Sequence, residues 1–229
     1  MSIAMSEMED NDSFSFSLKI GNRFISVPYD SVLKAHFKSI NSQDKIALLF
    51  PNEQLTSEDL LELQNYFIAF LYGVSLVMQR FAIPCPGIVI IDNPEVQKII
   101  GKICYIPKSK QIALSRDFFL DNLRGKTEFV MSGDSQEKLF LSGEVNRGKF
   151  IVISKTPTMH IISYGIQETI HHLQNLRGAE FSNMQTIEWE LRPEEAEAFR
   201  LTKELIEQNE VLVGAYAFVA SVSADESTN

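Results

Sequence analysis

The chain has 229 residues, 45% hydrophobic and 22% charged, enough to bury the core of one large globular domain or two small ones. Thirty acidic against 21 basic side chains leave a net charge of -9, which repels phosphate backbones, and the nearest thing to a basic cluster, Lys108, Lys110 and Arg116, is too small to offset it. Two cysteines, Cys85 and Cys104, exclude a disulfide framework and form no C-x-x-C zinc knot; they are expected as buried thiols in a reducing compartment.

Residues 1–12 are polar and acidic and read as a disordered tail, without the basic-then-apolar pattern of a signal peptide. From Ser13 to Tyr29 apolar and polar residues partly alternate. Phe14, Phe16 and Leu18 precede Gly21-Asn22, and Phe24, Ile25 and Val27 follow it, which predicts a hairpin. Lys45 to Phe50 reads as a short apolar strand ended by Pro51. A long helix is expected from about Ser57 to Phe81. Thr56 or Ser57 caps it, Glu58 and Asp59 suit its first turn, and Pro84 and Pro86 close the segment. Its most apolar run, Tyr66 to Met78, is shorter than the roughly 20 residues a bilayer crossing needs. It is expected in the core, with no membrane partner and a cytoplasmic location by default.

Ile88 to Ile91 has the character of a buried strand, and Pro94 to Ile100 that of a short helix stopped by Gly101. Ile103 to Ser115 predicts a hairpin with arms Ile103–Ile106 and Gln111–Ser115 about the turn Pro107-Lys108-Ser109-Lys110. Arg116 to Arg124 reads as a short helix ended by Gly125. Phe129–Met131, Leu139–Leu141 and Phe150–Ser154 are strand-like, separated by Gly133-Asp134 and Asn146-Arg147-Gly148. A helix spans about Pro157 to Arg177, with Gly178 as its stop. Thr186 to Leu191 is an extended arm with Ile187, Trp189 and Leu191 on one face. Pro193 opens a last helix to about Gln208. Val211 to Val222 fits strand or helix, and 223–229 is a polar tail. This order predicts a single α+β domain over residues 13–222.

The 157–177 helix carries the chemistry. At 100° per residue, Ile162, Ile166, Ile170 and Leu173 form one apolar stripe. His160, Tyr164, Gln167, Glu168 and His171 lie opposite. Three of the four histidines are on this helix. Gln167 and His171, four apart, stand one turn above the other.

Gln167-Glu168-Thr169-Ile170-His171 resembles the H-E-x-x-H signature of zinc metallopeptidases, with glutamine in place of the first histidine. In that signature the two histidines bind zinc and the glutamate is general base to the metal-bound water. Two neighbouring segments add to the likeness. Ile103 to Ser115 is similar to the strand pair that precedes the active-site helix and forms the substrate-binding edge. Glu197-Ala198-Phe199-Arg200-Leu201, continuing to Glu204-Leu205-Ile206, is similar to the segment that supplies the third ligand in glutamate-type zincins. The resemblance covers about residues 87–206. It implies a zincin-like fold with 126–155 as a β insertion, Glu168 at the general-base position, and metal positions at Gln167, His171 and Glu197, with Glu194 or Glu195 as alternatives.

A carboxamide is a neutral, weak zinc ligand. The resemblance therefore implies a catalytically impaired relative with no zinc or weakly bound zinc, acting through a protein or peptide partner in its cleft. An active zinc peptidase with an atypical Gln/His/Glu site is the second reading. His160 does not repair that site, because it stands about 10 Å along the helix axis from Gln167. The third reading is an unrelated α+β interaction protein. In it Glu168 and His172 make a surface i, i+4 pair, and the acidic run 194–197 merely suits a helix N-terminus. No G-x-S-x-G elbow, Walker A loop or G-x-G-x-x-G loop points to another enzyme class.

Overall fold

A computed structural model describes residues 15–20, 23–28, 33, 36, 42–91, 93, 95–97, 102–125, 151–154, 156–181, 193–213 and 216–219. The chain opens with an antiparallel ribbon, β1 (Ser15–Ile20) and β2 (Arg23–Pro28), with Ile20 paired to Arg23. Leu18, Ile20 and Val27 turn into the core, while Phe24 is exposed. The expected strand at Lys45–Phe50 is instead a helix, α1 (Gln43–Leu49). A six-residue apolar run does not settle the period. Ser42, which accepts from the Lys45 N–H, and Asp44 in the first turn favour the helix; only Ile46 within it is buried.

The long helix α2 spans Ser57–Phe81. A reciprocal cap starts it: Thr56 Oγ1 accepts from the Asp59 N–H at 3.1 Å, and Asp59 Oδ2 accepts from the Thr56 N–H at 2.8 Å. Ala82, in the left-handed region at φ 51, ends it before Pro84. Taken whole, α2 is long and apolar enough to cross a membrane, which the 66–78 run alone is not; 67% of its most apolar window is buried inside the fold. Asn65 on α2 also satisfies the outer edge of β1. Its carboxamide accepts from the Lys19 N–H and donates to the Lys19 carbonyl, at 2.9 and 3.1 Å.

A three-stranded mixed sheet follows, in the order β3 (Gly87–Ile91), β5 (Gln111–Ser115), β4 (Ile103–Ile106). β3 lies parallel and β4 antiparallel to the central β5. Side-chain alternation and register place Ile88, Ile90, Ile112, Leu114, Ile103 and Tyr105 on one face. That face packs on the helices, and Ile112 and Leu114 are fully buried. Cys85 and Cys104, expected to be buried, are only half-buried thiols, and Cys104 falls on the opposite face from Tyr105.

Helix α3 (Arg116–Leu123) continues directly from β5. Strand β6 (Ile151–Ser154) pairs antiparallel with β7 (Tyr216–Val219), which assigns part of the ambiguous 211–222 stretch to strand. Helices α4 (Pro157–Leu176) and α5 (Pro193–Glu207) complete the mixed α and β architecture. The expectations for 1–12, 129–131, 139–141, 186–191 and 223–229 lie outside the described residues. So do most of those for 94–100 and for the 126–155 insertion.

Helix α4 packs most extensively on α2. A Cβ added at Gly165 would fall far inside van der Waals distance of the Phe70 carbonyl oxygen, and one at Gly73 would do the same to the Ile162 carbonyl oxygen. The two backbones are in contact, and only glycine permits that approach.

Candidate functional site

The apolar stripe of α4 is fully interior, with Ile162, Ile166 and Ile170 at 0% exposure and Leu173 at 3%. Its polar side, which the third reading puts at the surface, is buried as well: Gln167, Glu168, His171 and His172 are all 2–8% exposed. Two elements cover that side. β4 closes one flank and α5 the other, while the Phe181 ring contacts both Tyr105 and His171.

On the α5 flank the i, i+4 pair converges on one carboxylate. Glu195 Oε2 lies 3.3 Å from Gln167 Nε2 and 3.3 Å from His171 Nε2. The other ring nitrogen, His171 Nδ1, is 2.9 Å from Gln174 Oε1. Both nitrogens of His171 therefore face acceptors, which is the environment of an imidazolium. Gln174 Nε2 donates to the Glu194 carbonyl at 2.9 Å and to Glu197 Oε2 at 2.8 Å. Of the three glutamates considered for the third position, Glu195 meets Gln167 and His171. Glu197 meets Gln174, and Glu194 contributes its backbone.

The electrostatics follow from this geometry. Burial works against a charge on His171, but the Glu195 hydrogen bond, the charges of Glu168 and Glu195, and Gln174 outweigh it and raise its pKa to about 9. Burial pushes the Glu168 carboxyl up to about 7. His171 opposes that shift, Glu195 adds to it, and the Tyr105 backbone amide opposes it. Tyr164, one turn before Glu168, is raised to about 12 by burial and then by Glu168 and Glu195. His160 stands edge-on to Tyr164, and burial followed by the Lys102 charge lowers it to about 4.

On the β4 flank, Asn175 Nδ2 donates to the Tyr105 hydroxyl at 2.9 Å and to the Pro107 carbonyl at 3.0 Å. The Tyr105 hydroxyl, 2.9 Å from His172 Nδ1, then donates to it, which leaves the His172 proton on Nε2. That atom is buried without a hydrogen-bonding partner among the described residues. Burial lowers the His172 pKa; the Pro84 carbonyl pulls the other way without reaching hydrogen-bond geometry, and Lys110 lowers it further. The surface Glu168–His172 pair expected under the third reading is thus overturned, because Tyr105 claims His172.

A catalytic zinc takes three protein ligands and a water. Here His171 presents a proton to Glu195, and Gln167 presents its amide nitrogen, which has no lone pair to give. Among the described residues no group of three or more His, Cys, Asp or Glu side chains could hold a metal ion. The donor set as arranged does not fit the catalytic metal. Sequence reading passed over Gln174, Asn175, Tyr105 and Phe181. Their partners are remote in the chain or, for Gln174 and His171, a polar i, i+3 pair that carries no motif. Comparison with family models, curated proteins and solved structures gives no match, so the functional reading rests on the site's own geometry.

Proposed function

We propose that this protein is a metallopeptidase-like molecule retired from catalysis, which binds an extended protein segment along the edge strand β4 beside the α4–α5 seam. The observation that carries the reading is the single Glu195 carboxylate shared by Gln167 and His171. In a working zincin-like site those two positions and a following glutamate would surround a metal. Here an internal imidazolium–carboxylate pair joins them. Strand, helix and glutamate-bearing helix also follow in the order a zincin-like fold requires. Without a metal-bound water, Glu168 has no proton to abstract and serves as a buried acid.

The edge strand supports the binding half of the reading. The Ser115 N–H donates to the Lys102 carbonyl at 2.9 Å, which fixes the alternation of β4. Cys104 and Ile106 turn their backbone groups to β5, and Ile103 and Tyr105 turn theirs outward, the Tyr105 N–H toward the Glu168 carboxyl. An extended segment adds to such an edge by main-chain hydrogen bonds. In this reading α2 is a core helix, and the protein acts in the cytoplasm.

Gln167→His tests the retired site. Restoring the imidazole pair should raise zinc affinity by orders of magnitude over the parent in calorimetric titration. A parent protein that already holds stoichiometric zinc and cleaves casein, with cleavage lost in Glu168→Ala, would sink the proposal.

A further inference from the structure

We infer that the segment accepted by β4 is acidic toward its N-terminus; this rests on the peptide-binding reading above. Among the described residues no strand pairs with the outer edge of β4. The two ends of that edge differ in charge. At the N-terminal end, Lys102 is neutralised by Asp121, 2.7 Å away. At the C-terminal end the chain enters the Pro107–Lys110 turn, where Lys108 and Lys110 are exposed and no acidic side chain pairs with either among the described residues.

That turn is held in place from several sides. Asn175 donates to the Pro107 carbonyl, the Lys110 N–H donates to the same carbonyl at 3.3 Å, and the Gly87 N–H donates to the Lys110 carbonyl at 3.0 Å. Two ammonium groups on an anchored turn are a local exception in a chain of net charge -9. A segment pairing antiparallel to β4, the more stable arrangement, lays its N-terminal residues against this turn. Farther along it meets only Lys102, already paired with Asp121, so acidic residues there find no unpaired cation among the described residues. Complementarity of this kind sets register and partner choice.

Three fluorescein-labelled decapeptides of alternating valine and threonine provide the test. They differ only in carrying two glutamates among the first three residues, two glutamates among the last three, or two lysines among the first three. Anisotropy titration of the full chain at low salt should rank the first tightest, about tenfold over the lysine peptide, since two surface ion pairs are at stake. The preference should fade as salt rises and invert in the Lys108→Glu/Lys110→Glu double variant. Ile103→Pro, which removes an outward N–H and no bond to β5, should abolish binding of all three.

Equal binding of the three peptides, a preference untouched by the double variant, or a preference for C-terminal glutamates overturns the charge assignment and leaves the peptide-binding reading standing. Failure of all three to bind overturns the peptide-binding reading itself. Binding that disappears as protein concentration rises means a second copy takes the edge, and overturns both.

Discussion

On its α2 side, helix α4 meets its neighbour backbone to backbone at Gly165 and Gly73, with fully buried Ile162, Ile166 and Ile170 filling the space around the crossing. On its other side it reaches β4 and α5 with its side chains: His172 to Tyr105, Gln167 and His171 to Glu195, and Gln174 to the Glu194 carbonyl and Glu197. The first contact is steric and insensitive to pH. The second is a set of directional bonds, several of them to titratable groups, worth keeping only while each partner is satisfied. One helix thus separates the part of the molecule that specifies the fold from the part whose chemistry can change.

The largest effect should come from breaking the steric side. Gly165→Ala places a methyl against the Phe70 carbonyl oxygen, where no side chain can give way. It should cost about 3 kcal/mol or more in urea denaturation. A variant as stable as the parent would mean the helices are not in backbone contact.

Glu195→Gln should come next, at about 2 kcal/mol near pH 6, because it strands a buried imidazolium. The sign of the pH dependence distinguishes it from a packing defect. His171 has a raised pKa, so its contribution is complete below 6.5 and is lost as pH climbs through about 9. The buried acid Glu168 acts in the same direction, its neutral form favouring the fold less and less between 4.5 and about 7. His160, lowered to about 4, opposes them by adding stability as pH rises from 4 to 6.5. The parent should therefore lose stability between pH 6.5 and 9, and Glu195→Gln should lose much less over the same interval. Parallel curves for the two proteins would refute the charged pair.

The smallest effect should be Tyr105→Phe, about 1 kcal/mol, since it unpairs His172 Nδ1 and one Asn175 N–H while preserving the ring. Its two-dimensional NMR should show changes at His172 and Asn175 and leave the Glu195 cluster undisturbed. Spread across that cluster would join the two flanks into one network.

The contrast between the two sides also explains what the sequence disclosed. Elements with long periodic patterns and capping residues were legible: α2 from Thr56 to Phe81, the 103–115 hairpin about its Pro-containing turn, and α4 between Pro157 and Gly178. Lys45–Phe50 was not, because a run that short fits either period. The steric crossing left a signal that went unused, a glycine after tyrosine in the middle of each of two apolar helices, Tyr72-Gly73 and Tyr164-Gly165. Of the site, the grouping of Gln167, Glu168 and His171 on one face was readable from helical spacing. Which of Glu194, Glu195 and Glu197 would reach them was not, because adjacent helical positions differ by 100° and the rotation of α5 is set by how it docks. Burial of the polar face was invisible for the same reason, since it depends on β4 and α5 arriving from elsewhere in the chain.

The contact at Gly73 and Gly165 has a kinetic consequence. Two helices that touch through their main chains cannot slide or open separately, so the central amides of α2 and α4 should exchange with solvent as one cooperative unit, through global unfolding alone. The α5 helix, fastened to α4 by side chains, belongs to a lower-energy unit that detaches first. A partner pulling on the seam would then peel α5 away and leave α4 in place. Hydrogen exchange would resolve the molecule into a slow pair of helices and a faster flap.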